Sequence, residues 1–195
     1  MSRLITNAIR STSASADAIT MDGSGNVTFP ANATCSGTAT GFGGGKLLQV
    51  VQVTKTDTQS IQSQTFTDVS GMSVTITPTS ASNKILVMFS ISVATSSYGM
   101  INLVRGSTDI FKGNSSTSRV DCTVAAITQN SYECETYSHT FLDSPNTTSA
   151  TTYKLTASTP HDSTYIIYVN RPITDTNYNY VARPVSSITV MEVAA

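Results

Sequence analysis

Two histidines, His139 and His161, are the only imidazoles in this chain of 195 residues. His161 is followed directly by Asp162. A histidine held by a carboxylate is the proton-handling half of a nucleophilic triad, but that couple needs a spatial geometry that adjacency in sequence does not supply. His161 therefore reads as an exposed loop histidine. His139 lies in a strand-like run beside Tyr137 and Phe141 and reads as packed or solvent-facing. The carboxylates are scattered, with no paired-acid spacing. A glycosidase places its two acids at any separation along the chain, so spacing alone does not exclude one. Gly41–Gly45 lacks the Lys-Ser/Thr that completes a phosphate-cradling loop. Asp22 to Asn26 lacks the downstream Glu of a calcium loop. Cys35, Cys122 and Cys134 fall in no metal-ligand spacing. Cys122 and Cys134 could pair if their strands were neighbours, but free thiols of a chain made in a reducing cytoplasm are the simpler reading. We expect no enzyme activity, no metal and no cofactor.

The best candidate for recognition is Asn177-Tyr178-Asn179-Tyr180. Tyrosine faces stack on sugar rings, and amides hydrogen-bond hydroxyls. Loops on a rigid β-scaffold are the usual place for such a site. The competing reading is a loop pinned by tyrosines that pack against the body of the protein or a neighbouring subunit.

The scaffold that positions this loop is centred on Asn83–Ala94, NKILVMFSISVA. Ile85, Val87, Phe89, Ile91 and Val93 fall on every second residue and form one apolar face of a strand. Leu86, Met88, Ser90 and Ser92 form the other, which begins apolar and turns polar. That pattern predicts the central strand of a β-sandwich, buried along one face and half-covered on the other. Composition agrees. Only 12% of residues are charged and the net charge is −1, so nothing points to nucleic acid as a partner. Close to a third of the chain is Ser or Thr, which suit strands and turns. No run approaches the length of a membrane span, and the start, MSRLITNAIR, has no signal-peptide core.

Residues 1–45 differ from the rest and predict an extended N-terminal arm. Ala18–Met21 and Val27–Phe29 read as a hairpin around the turn Asp22–Asn26. A hairpin that small is not stable alone, so Ile19, Met21, Val27 and Phe29 must pack on a partner or on copies of themselves. Gly41–Gly45 reads as a flexible joint. Residues 46–195 predict nine or ten short strands with turns at sandwich or jelly-roll spacing. Strands are expected at Leu47–Val53, Thr65–Val69, Met72–Thr77, Tyr98–Arg105 and Thr108–Phe111. Others are expected at Cys122–Ile127, Glu133–Asp143, Tyr153–Ala157, Tyr165–Val169 and Ser186–Val193. Asp57–Ser63 reads as a loop, Ser70-Gly71 as a turn, and Ile188, Val190 and the Val193 end as core.

Three stretches, DAITMDGSGNVTFP, FTDVSGMSVTITPTSASNKILVMFSISV and SSITVMEV, together resemble short bacteriophage virion proteins of tail-fibre type, common among phages of aquatic bacteria (the cyanophage type). They cover about a quarter of the chain, and their order and combination are more specific than any one of them. The resemblance implies an N-terminal segment that fastens to other virion proteins. It implies a projecting C-terminal β-domain, usually a homotrimer, in a virion made in the host bacterial cytoplasm. It supplies no catalytic residues. A fibre tip usually follows a long shaft, and here about 45 residues precede the domain. That leaves a short tail fibre involved in host attachment and a capsid decoration protein (head fibre or cement) both open. The alternative expectation is a carbohydrate-binding adhesin module recognising host surface polysaccharide.

Overall fold

The computed structural model describes residues 8–9, 15, 19–29 and 47–195. The chain divides into two units, residues 1–44 and 45–195. The joint Gly41–Gly45, Pro30 and Cys35 lie outside the described residues.

In the first unit, β1 (Ala8–Ile9), β2 (Ile19–Met21) and β3 (Val27–Thr28) form an antiparallel sheet in that order. The sequence reading had only the β2–β3 hairpin, because two residues of β1 carry no periodicity. Asp22 builds the turn. Its carboxylate accepts from the backbone N–H of Ser24 and Asn26, both at 2.9 Å, and from the Asn26 amide at 2.7 Å. These bonds hold the Asp22 carboxyl below its ordinary value. Gly25 takes the positive φ of 84° that the reversal needs.

The second unit is all-β and antiparallel, with strands β4 (Leu47–Lys55), β5 (Gln59–Ile61), β6 (Thr67–Ile76), β7 (Lys84–Thr95) and β8 (Gly99–Arg105). They are followed by β9 (Thr108–Ile110), β10 (Val124–Ala126), β11 (Glu135–Asp143), β12 (Thr151–Ser158), β13 (Ile167–Val169) and β14 (Ser186–Val193). One sheet runs β4-β14-β7-β13-β5 with β11 also on β7, and the other runs β10-β8-β12-β6 with β9 also on β8. A strand has two edges, so three partners must share. On β7, β11 spans residues 85–93, while β14 takes 84–90 and β13 takes 93–95. The last two therefore lie end to end on one edge. By the same argument β9 and β10 share one edge of β8. Each sheet is thus four positions wide. The chain crosses between sheets at β5–β6, β6–β7, β7–β8, β10–β11, β11–β12 and β12–β13, which is the order of a jelly-roll sandwich.

β7 is central, as its alternation predicts. Ile85, Val87, Ile91 and Val93 are fully buried and Phe89 nearly so. They face Val69, Met72, Val74, Tyr153 and Leu155 of the opposing sheet in one core cluster. Burying each such side chain contributes about 1.5–3 kcal/mol.

The structure corrects the sequence reading at three places. Gln59–Ile61 is a short strand, with Ile61 buried. Ser70-Gly71 is a bulge within the single strand β6 and does not reverse the chain. Four residues, 69–72, stand opposite the single Leu155, and Gly71 has a φ of 74°. The bulge sits over the fully buried stem of Lys55, whose Nζ reaches the exposed Asp57 at 2.8 Å. In β14, Ile188, Val190 and Glu192 share the inner face, and Val193 points outward. The carboxylate, and not Val193, ends the buried row.

Where β13 ends and β14 begins, two strands must be spliced. Asn170 does this in a left-handed conformation, φ 57°. Its N–H donates to Ser92 O at 2.9 Å, and its amide donates to Lys55 O at 2.8 Å and Asp57 O at 3.1 Å. Ser186 donates to Asn170 Oδ1 at 2.6 Å and accepts from Ser92 N–H at 3.0 Å.

Candidate functional site

The loop between β13 and β14 carries the tyrosines. Arg183 closes its base by a bidentate ion pair with Asp175, Nε to Oδ1 at 3.1 Å and Nη2 to Oδ2. The Arg183 bond holds the Asp175 carboxyl low, so it stays an anion committed to the clamp. Thr174 N–H donates to Ser131 O at 2.8 Å and ties the loop to the segment before β11. Within the clamp, Tyr178 and Tyr180 stack on each other, with centroids 5.2 Å apart and planes 12° apart. Tyr132, from the neighbouring segment, meets Tyr180 edge-on at 6.0 Å. Tyr178 is 54% exposed and Tyr180 65% exposed, and Asn177 and Asn179 are exposed beside them. A hollow of about 510 Å³ lies between Asp175, Asn177, Tyr178 and Arg183.

This arrangement joins the two readings made from sequence. The tyrosines brace one another, and both stay more than half exposed. The rigid double platform with amides and an Arg–Asp pair alongside can stack a sugar ring and bond its hydroxyls. The sequence reading missed Tyr132 and the Asp175–Arg183 clamp. Opposite charges at the two ends of the Tyr-bearing loop were the available signal.

A second aromatic group was also missed. His161 stacks on Tyr165 at 5.7 Å and meets Tyr98 at 5.9 Å. With Met100, Val120 and Pro160 it lines a shallow, mostly apolar hollow of about 380 Å³. The Asp162 carboxylate accepts from Thr164 N–H at 2.8 Å and Thr164 Oγ1 at 2.9 Å, not from the His161 imidazole. Sequence adjacency therefore creates no His–Asp couple. His139 is packed between Phe89, at 5.6 Å, and Phe111, at 5.7 Å.

Among the described residues two carboxylates are buried, and both are structural. Asp143 accepts two bonds from Arg105 at 2.8 Å and one from Tyr153 at 2.7 Å. Burial and this bond push the Tyr153 hydroxyl far above its ordinary value. Glu192 accepts from Thr79 N–H at 2.6 Å, Thr79 Oγ1 at 2.8 Å, Asn83 at 2.6 Å and Gln49 at 2.6 Å. Burial alone would raise its carboxyl; the four donors outweigh that and bring it down to about 2. Cys122 and Cys134 are free thiols. Burial raises both, Cys134 to about 11, so neither is a thiolate nucleophile at neutral pH. Among the described residues no three His, Cys, Asp or Glu side chains gather as metal ligands.

In the first unit, the register puts Met21 opposite Val27 and Ile9 opposite Ile19. Alternation places Phe29 on that same face. The small sheet thus gathers five apolar side chains on one side and Ala8, Thr20 and Thr28 on the other. Ile9, Met21, Val27 and Phe29 are between 36% and 50% exposed.

No protein-family model matches this chain, and no curated protein matches it.

Proposed function

We propose that this chain is a non-enzymatic bacteriophage virion protein, a short tail fibre or a capsid decoration protein. It acts as a homotrimer, with residues 1–45 docking on other virion proteins and the jelly-roll unit carried outward. The observation that carries this reading is the one-sided apolar sheet of β1–β3. Among the described residues of the first unit, the seven in this three-stranded sheet form no core of their own. An apolar face that includes Ile19, Met21 and Val27, exposed in part, is the kind of surface that marks a site of interaction. A low-charge, Ser/Thr-rich sandwich suits a static assembly. The free thiols suit synthesis in a bacterial cytoplasm.

The test is antibody labelling of density-banded phage particles from a lysate in which the chain is expressed. Discrete label on heads or tails is the expected result. Chain found only in the soluble fraction, with bare particles, would overturn the reading.

A second reading, an adhesin module for host surface polysaccharide, rests on the exposed Tyr178–Tyr180 stack and the amides beside it. It is compatible with the first if the virion uses this protein to attach.

A further inference from the structure

The outer faces of the two sheets differ in kind. On the outer side of β6 and β12, Lys154 pairs with Asp68 at 2.7 Å, whereas Asn102 and Val104 on the outer side of β8 are buried. On the β4–β14–β7–β11 face, the register sets Val50 beside Met191, Met191 beside Leu86, and Leu86 beside Leu142. One apolar row therefore crosses all four strands. Val50 is 51% exposed, Leu142 47% and Leu48 47%, and Met88 adds 40% in the next row. Across the rows paired with Leu86, Met88 and Ser90, this face holds only apolar, Ser, Thr and Gln side chains. Lys84 stands beyond one end, and Arg171, over the Tyr168 ring at 4.1 Å, beyond the other.

We infer that this face is the contact between copies of the chain. The inference rests on the homo-oligomer proposed above and names its surface. Two features select a second copy as the occupant. A neutral face meets its own duplicate without like-charge repulsion, whereas a charged partner would find no complement on it. Its extent is also sufficient. Four strands at about 4.8 Å and eight residues at about 3.3 Å give a plane of roughly 500 Å², so two such faces supply roughly 1,000 Å², the lower bound for a specific interface. Turned inward around a three-fold axis, three faces bury the row against its copies.

A glycan is a poorer occupant. The hollow of about 460 Å³ on the polar half of the face is lined by Ser, Thr and Gln side chains with Met88, Phe89 and His139; Phe89 is buried, and the half-buried His139 is already packed between Phe89 and Phe111.

The test is sedimentation of the full-length chain at micromolar concentration, wild type against Val50→Lys/Leu142→Lys and Thr75→Lys. Thr75 is exposed on the other sheet. Wild type and Thr75→Lys are expected to sediment as a multiple of 20.6 kDa. The double variant is expected to sediment as a single chain with the circular dichroism of wild type. If it loses that spectrum, Leu142→Lys alone decides, by the same shift. An oligomer unchanged by either variant would overturn the face and leave the oligomer standing. A monomeric wild type would overturn both. A monomer that binds phage particles through this row would give the face to another virion protein, and that also overturns the inference.

Discussion

Asn83 donates its side-chain amide to Glu192 Oε1 at 2.6 Å, across 109 positions of sequence. The bond ties the turn that launches the central strand to the strand that ends the sandwich. The Glu192 carboxylate is held by four neutral donors, two from Thr79 and one each from Asn83 and Gln49. Such a carboxylate is stable only as the anion, because protonation removes the acceptor those donors face.

Acid sensitivity follows from this. The folded carboxyl titrates at about 2 and the unfolded one near 4.5. The contribution of Glu192 is therefore present above pH 4.5 and is lost as pH falls toward 2. Exposed carboxylates such as Asp57 and Asp175 are also held low, so the comparison must be with Glu192→Gln. That variant should lose about 3 kcal/mol at pH 7, since an amide turns donors toward donors. Its difference from wild type should shrink below pH 4.5. Urea unfolding at about pH 7 and about pH 3 checks both points; equal differences at the two pH values would contradict this role for Glu192.

The splice at Asn170 predicts an ordering of variants. Asn170→Ala loses the bonds to Lys55 O, Asp57 O and Ser186 and leaves a Cβ at positive φ. We expect a loss of about 3 kcal/mol from the buried bonds. Asn170→Gly loses the same bonds without the left-handed penalty and should be less damaging by about 1 kcal/mol. Denaturant midpoints that rank Gly below Ala would show that the conformation plays no part.

Phe89 tests the centre of the core. It is 4% exposed and packs on His139. Phe89→Ala should cost about 3–5 kcal/mol. A loss under about 1 kcal/mol in urea unfolding would remove β7 from the centre of the core.

The tyrosine platform separates recognition from structure. Tyr178→Ala removes one ring of an exposed stack and should leave the thermal midpoint within a few degrees of wild type. If the loop recognises host polysaccharide, retention on immobilised host glycan should fall at least tenfold. Unchanged retention with an intact fold would confine the tyrosines to bracing the loop.

Much of this fold was legible because a strand with one dry face writes its period into sequence. The five alternating residues of β7 and the limits of β14 at Ser186 and Val193 are the clearest cases. The misreadings have specific causes. Ser-Gly serves equally for a turn and a bulge, and only the stem of Lys55 beneath Gly71 distinguishes them. Gln59 and Ser60 carry no apolar signal, so β5 read as a loop although Ile61 is buried. Glu192 occupies an inward position by strict alternation with Ile188 and Val190. The donors that make its burial tolerable lie more than a hundred residues away. Tyr178 and Tyr180 were singled out as candidates from residue type alone. Their mutual stacking and the Asp175–Arg183 clamp depend on how the loop folds back on itself.

An assembled virion appendage differs from a single-copy binding module or enzyme in one quantity, its native mass. Light scattering of the purified full-length chain measures that mass directly. We predict about three times 20.6 kDa, constant across a tenfold dilution. A folded species of 20.6 kDa at every concentration would contradict the proposed appendage.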